Sequence, residues 1–304
     1  MDSSRFLFFS GKGGVGKTSM AASTAVQEAE RGRKTLIVTT DPASNLADVF
    51  ETEIGHRIAP IPGAPNLWAM EIDPDQATIE YKEKILGPMR GIFPSDVIAV
   101  VEEQFNSPCT TEIAAFDRFV KFMDNPEFDL VIFDTAPTGH TIRLLELPVN
   151  WSDFIDLSAK GSGQTCLGPV QAIQESKAIY DKAIAELRNP EATTFIFVVQ
   201  PEAVAIGETE RSVAEIRQLG VKSIELIING ILPEEVCEDP FFRSRWEMQQ
   251  RHLQEIGRRL DLPTRRMFLQ DEEIKGIEKL RRTGQMLMEE TALNERGNHD
   301  RVSA

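Results

Sequence analysis

Short apolar runs recur along this chain, each giving way to small or polar residues and then to a stretch of helix-forming composition. Arg5-Phe-Leu-Phe-Phe-Ser10, Lys34-Thr-Leu-Ile-Val-Thr39, Leu67-Trp-Ala-Met-Glu-Ile72 and Asp129-Leu-Val-Ile-Phe-Asp134 open the series. Phe195 to Glu202, Ile224 to Asn229 and Thr264 to Leu269 continue it. Apolar runs without alternation mark strands buried on both faces, the habit of parallel sheets covered by helices. Between them, Ser19 to Glu30, Ala203 to Leu219, Phe241 to Leu260 and Lys275 to Glu290 are predicted helical, with Gly220 placed to end the second. The alternation predicts an α/β fold: a mostly parallel sheet flanked by helices.

Two stretches break the rhythm. From about 75 to 125 helical patterns dominate, divided by Pro88, Pro94 and Pro108, and a second helical stretch covers about 150 to 187. Asp73-Pro74 opens the first, with Asp at the cap and Pro in the first turn. The two are expected to meet as an inserted helical subdomain on one edge of the sheet. Residues 1–290 then form a single domain, and 291–304, polar and without apolar periodicity, read as a disordered tail.

The chemistry gathers where the apolar runs end. The first run leads into Gly11-Lys12-Gly13-Gly14-Val15-Gly16-Lys17-Thr18, followed by Ser19, which completes G-x-x-x-x-G-K-[ST] between a strand and a helix. Glycines there let backbone N–H groups converge on phosphates, Lys17 neutralises the β- and γ-phosphates, and the Thr18 hydroxyl suits Mg²⁺. This order defines a P-loop NTPase expectation, with ATP and Mg²⁺ as cofactors. The second run leads to Asp41, placed to orient or deprotonate an attacking water, or to cap a short helix beginning near Asn45. The fourth ends in Asp134, a Walker B carboxylate that acts on Mg²⁺ through bound water, or caps a following helix. Lys12 gives the loop a second lysine, which is either solvated or functional.

Composition narrows the class. The 304 residues carry 48 acidic and 33 basic side chains, a net charge of −15, which argues against general nucleic-acid binding. No apolar run reaches membrane-span length and the start shows no signal-peptide pattern, so a cytoplasmic address is expected. Three widely spaced cysteines, Cys109, Cys166 and Cys237, suggest reduced thiols.

The loop with Lys12, the Asp41-Pro-Ala-Ser-Asn45 string and Asp134-Thr-Ala-Pro-Thr-Gly-His-Thr-Ile-Arg-Leu-Leu145 together resemble the arsenite-pump ATPase family, from Phe6 to about Met288. That family also contains the tail-anchored-protein targeting ATPase. The resemblance implies that Asp41 activates water, that Lys12 acts in trans across a closed dimer, and that Asn45 contacts the phosphate environment. It also implies that Asp134 belongs to a magnesium-sensing switch and that Glu202 and Asn229 contact the adenosine. Without it, Glu202 reads equally as a helix-start acid and Asn229 as a turn residue.

Cys109, in Pro108-Cys-Thr-Thr-Glu-Ile-Ala-Ala-Phe, and Cys166, in Gln164-Thr-Cys-Leu-Gly-Pro169, resemble metalloid-binding segments of the arsenite-stimulated branch. Thiolates suit soft arsenite or antimonite, and His140 in the switch string is the implied third ligand. Cys237 sits in an acidic loop without a C-x-x-C zinc pair and is given no role. The family's fused doubles carry two P-loops; this sequence has one, so a homodimer is implied. The implied function is hydrolysis of MgATP to energise extrusion of arsenite or antimonite, which serve as activator and cargo. Its implied partners are a membrane efflux carrier at the inner face of the plasma membrane and a metallochaperone. The alternative is a targeting chaperone for tail-anchored proteins, for which Ile85, Leu86, Met89, Ile92, Phe93, Val97, Ile98 and Val101 would line a client groove or, equally, a helical core. A weaker reading is a positioning or regulatory ATPase of the deviant-Walker group.

Overall fold

The computed structural model describes residues 4–39, 45–105, 108–135, 164–165 and 168–302. Its strands are β1 (Phe6–Ser10), β2 (Thr35–Thr39), β3 (Ala59–Pro60), β4 (Leu67–Glu71), β5 (Leu130–Asp134), β6 (Gln164–Thr165), β7 (Gly168–Pro169), β8 (Thr193–Val199), β9 (Ile224–Ile231) and β10 (Thr264–Phe268). The helices described are α1 (Lys17–Glu30), α2 (Leu46–Phe50), α3 (Pro74–Met89), α4 (Ser95–Gln104), α5 (Pro108–Asp124), α6 (Val170–Arg188), α7 (Ala203–Gln218), α8 (Pro240–Arg259) and α9 (Ile277–Val302).

One sheet runs in the order β10-β9-β8-β1-β5-β2-β4-β3, parallel except where β3 meets β4. Each apolar run forms a strand, as the pattern predicts. The extra strands β3, β6 and β7 span two residues each, too short for any periodicity to show.

Side chains alternate through this sheet. Phe6 and Phe8 point into one apolar layer with Tyr81 and Leu86 of α3, Phe116 and Phe119 of α5, Val213 of α7 and Ile256 of α8. Leu7 and Phe9 point into the other, with Met20 and Val26 of α1, Leu46 and Val49 of α2, and Leu280 and Leu287 of α9. Across the three central strands Phe8 stacks between its register partners Phe133 and Phe195, with centroids at 4.7 and 4.6 Å. Phe119 of α5 lies against Phe8 and Phe133. This ladder fixes the heights of β1, β5 and β8, and so the level at which their carboxyl ends emerge.

The inserted helices correct the sequence expectation in one respect: they cover a face of the sheet and do not sit at its edge. The reason lies in their apolar stripes. Tyr81, Ile85 and Leu86, then Phe116, Phe119 and Val120, then Tyr180, Ala183 and Leu187, join one cluster with sheet residues Phe8 and Phe133. As the Asp73-Pro74 pair predicts, Asp73 caps α3, its Oδ1 accepting from the amides of Asp75 at 2.8 Å and Gln76 at 3.0 Å. The final helix runs to Val302, beyond the Glu290 the pattern suggests and into the stretch read as a tail. Ala292, Leu293, Glu295 and Arg296 are good helix formers, and they extend a helix already anchored by Leu280 and Leu287. Among the described residues no helix is long and apolar enough to cross a membrane.

One buried carboxylate ties the inserted helices together. Asp117 of α5 accepts hydrogen bonds from Lys84 of α3 at 2.7 Å and the Tyr180 hydroxyl of α6 at 3.3 Å, and pairs with Lys121 at 2.9 Å. Burial alone would raise its pKa, but the Lys84 hydrogen bond and the Lys121 charge outweigh it and hold the carboxyl below its ordinary range. The folded state therefore binds fewer protons at this site than the unfolded state. Its stabilisation is present above the ordinary carboxylate range, near about pH 4, and is lost as pH falls through the depressed folded value. We expect Asp117→Asn to cost about 1–3 kcal/mol near neutral pH, and the gap to wild type to shrink toward pH 3. Urea denaturation at both pH values measures this; a pH-independent gap would remove the charge from the explanation.

Candidate functional site

The site is built at the carboxyl ends of the central strands. Register places Asp134, the last residue of β5, opposite Phe9 of β1 and Thr39 of β2. Thr135 pins that end, its amide and hydroxyl both donating to the Phe9 carbonyl, at 3.2 and 2.8 Å. The Gly11–Gly16 loop leaves β1 and enters α1 at Lys17. As a result Thr18 Oγ1 donates to Asp134 Oδ2 at 2.8 Å. This bond brings the two sequence motifs together, joining Asp134 to the first turn of α1.

Lys17 is almost fully buried, and its Nζ reaches the Lys12 carbonyl at 3.4 Å, while Lys12 itself is half-buried. From β9, two strands away from β1, Asn229 Nδ2 donates to the Val15 carbonyl at 2.9 Å. Asn229 is a strand residue clamping the loop, not a turn residue, and its carbonyl oxygen retains capacity to accept. Asn45 occupies the cap position of α2 without a side-chain cap bond.

A cavity of about 520 Å³ opens beside the loop. Gly14, Ser19, Asn45 and Asn229 line one part of it, and Asp48, Gln200 and the segment from Phe268 to Lys275 line the rest. A second cavity, of about 490 Å³, shares Gln200, Gly230 and Leu269 with the first and contains Glu202, Phe241, Phe242 and Arg245. Glu202 is the residue before α7, caps nothing with its side chain, and lies 4.0 Å from Arg245. The two sequence-predicted adenosine contacts therefore face adjoining cavities. Asp48 and Gln200 were missed. Gln200 follows a strand at the sheet's carboxyl edge, and that position was the available signal.

Asp41, His140 and Cys166 lie outside the described residues. Cys109 falls at the start of α5, but its side chain is outside the described set. Among the described residues no three His, Cys, Asp or Glu side chains converge on a metal position. Cys237 is buried, and its thiol donates to the Pro233 carbonyl at 3.2 Å. The Thr18 hydroxyl and Asp134 carboxylate are hard oxygen donors held side by side, a set that fits Mg²⁺ and not a thiophilic ion.

A glycine loop leaving the central strand of a parallel sheet, with its threonine bonded to the carboxylate ending the next strand, defines a P-loop NTPase. Residues 4–289 match the family described as anion-transporting ATPase, and the chain belongs to that family. It is 42% identical over 283 residues to an arsenical pump-driving ATPase of Escherichia coli, covering 91% of this chain and 48% of that one. The corresponding protein of Acidiphilium multivorum is also 42% identical, over 282 residues, with the same coverage of each chain. The ATPase ASNA1 homolog 2 of Paramecium tetraurelia is 33% identical over 308 residues, covering 93% of both chains. The chain thus spans about half the length of the arsenical pump relatives and nearly all of the Paramecium protein.

Proposed function

We propose that this chain hydrolyses MgATP to energise extrusion of arsenite or antimonite through a membrane efflux carrier, working as a homodimer at the cytoplasmic face of the membrane. The observation that carries the enzymatic part is the 2.8 Å bond between Thr18 and Asp134, which puts the two magnesium-directed groups beside the phosphate loop. The metalloid part rests on the names of the pump relatives and on the strings around Cys109 and Cys166.

In this reading backbone amides of Gly13 to Ser19 hold the phosphates and Lys17 neutralises them. Magnesium, when bound at Thr18 and Asp134, offsets the charge that develops between the β- and γ-phosphates. Asp41 orients the attacking water and takes its proton. Lys12 of each protomer reaches the phosphates bound by the other. Asn229 accepts from the base, and Glu202, in the second cavity, accepts from the sugar or base. Cys109, Cys166 and His140 hold the metalloid, and ligands drawn to one ion favour the closed dimer by as much as the ion prefers it.

The test is ATP turnover against arsenite or antimonite concentration. The ratio of stimulated to unstimulated rate should rise severalfold in wild type and fall toward one in Cys109→Ser and Cys166→Ser. A wild-type rate indifferent to metalloid from micromolar to millimolar, with a hydrophobic tail peptide co-purifying, favours the targeting chaperone instead. That second reading draws on Ile92, Phe93, Val97 and Val100, which are exposed near and along α4. Of the rest of the suggested groove, Ile85 and Leu86 are core, and Met89, Ile98 and Val101 are partly buried against it.

A further inference from the structure

The segment that walls the nucleoside end of the main cavity, Phe268 to Lys275, ends at Gly276, which opens α9. Gly276 does not simply start a helix. Its amide donates to the Val49 carbonyl of α2 at 2.9 Å, and the Val49 amide in turn donates to the Asn45 carbonyl at 2.9 Å. Two hydrogen bonds therefore run from the cavity-closing segment, through one turn of α2, to Asn45 on the facing wall of the same cavity.

Both residues at the joint hold left-handed backbone. Gly276 has φ +75° and Glu51, the residue ending α2, has φ +52°. A Cβ on Gly276 would stand 2.8 Å from Glu51 Oε2. On either side of Gly276, Ile274 and Ile277 pack into the apolar layer that also holds Val49 and Phe50. Hydrogen bond, apolar packing and left-handed backbone thus join the two elements that carry the two cavity walls.

We propose that Gly276 is a positioning residue: it couples the filling of the nucleoside end to the placement of Asn45 at the phosphate end. The inference rests on the ATPase reading above. It predicts that the nucleoside contributes to turnover and not only to binding. A side chain that cannot hold the left-handed backbone should uncouple the two ends while leaving the segment able to cover a nucleoside. β-Branched residues are the poorest there, and asparagine among the best of the non-glycines.

The experiment compares ATP with inorganic tripolyphosphate, which has the same phosphate chain and no nucleoside, in wild type, Gly276→Val, Gly276→Ala and Gly276→Asn. Wild type should turn over ATP at least tenfold faster than tripolyphosphate at saturation. Gly276→Val should lose about tenfold in kcat for ATP, with KM changed less than about threefold. Gly276→Ala should fall between, and Gly276→Asn should stay within about threefold of wild type. Gly276→Ala serves as the measured variant should the valine protein not fold. Equal kcat for ATP and tripolyphosphate in wild type overturns the coupling, as does a raised KM with unchanged kcat in Gly276→Ala. A wild type that turns over neither compound refutes the ATPase reading itself, a different result from either.

Discussion

Lys17→Ala is expected to weaken ATP binding by a hundredfold or more, whereas Lys12→Ala should keep affinity within a few fold and lose turnover by about a hundredfold. The difference follows from where the two lysines sit. Lys17 is nearly buried, and its ammonium lies within the loop, close to the Lys12 carbonyl. Removing it leaves phosphate charge uncompensated in a site screened from water, where truncating one partner typically costs about 2–5 kcal/mol. Lys12 offers its backbone carbonyl to that arrangement, and truncating its side chain leaves the carbonyl in place. In the proposed homodimer the Lys12 side chain instead serves the partner protomer's nucleotide, a role that a cationic finger fills only as charge develops. Equilibrium binding and single-turnover rates separate the two effects. Equal loss of ATP affinity in both variants would refute the trans assignment.

How much of this was legible beforehand depended on whether the information was local. Phe6 to Ser10 and Leu130 to Asp134 announce themselves because a strand buried on both faces must be apolar throughout. That Thr18 and Asp134 belong to one site was readable although 116 residues separate them, because the loop after β1 and the end of β5 both lie at the sheet's carboxyl edge. What stayed hidden was assembled from several elements at once. Asp48 and Lys275 carry no motif, and they share a cavity only because α2 and the start of α9 fasten to each other through Val49 and Gly276. The placement of α3 to α6 was misread for a similar reason. Their apolar stripes fit a helical core and a sheet face equally well until Phe119 is seen against Phe8. Asn229 read as a turn residue or an adenosine contact; its clamp on the Val15 carbonyl depends on β9 lying two strands from β1.

Gly11→Ala should be the most damaging single-methyl change in the loop. Gly11 has φ +146°, and a Cβ there would stand 2.3 Å from the Val198 carbonyl oxygen and 3.3 Å from Val15 Cγ2. The first of these is a backbone atom of β8, a strand held between β1 and β9 by parallel ladders on both sides. Val198 is fully buried, so the carbonyl has nowhere to withdraw. The loop must therefore shift, and the strained backbone adds about 1–3 kcal/mol to the cost of the clash. A shift of even about 1 Å at this point carries Lys17 and Thr18 off their phosphate and Asp134 positions, a misplacement that costs around a hundredfold in rate. We expect Gly11→Ala to lose about 2–4 kcal/mol in urea denaturation and to show no saturable ATP binding. Gly13→Ala is the control for stability alone, because Gly13 has nothing within 4 Å of the new methyl and no positive φ. It should unfold within about 1 kcal/mol of wild type. If the two variants prove equally stable, close packing between the loop and β8 is not what holds this site in place.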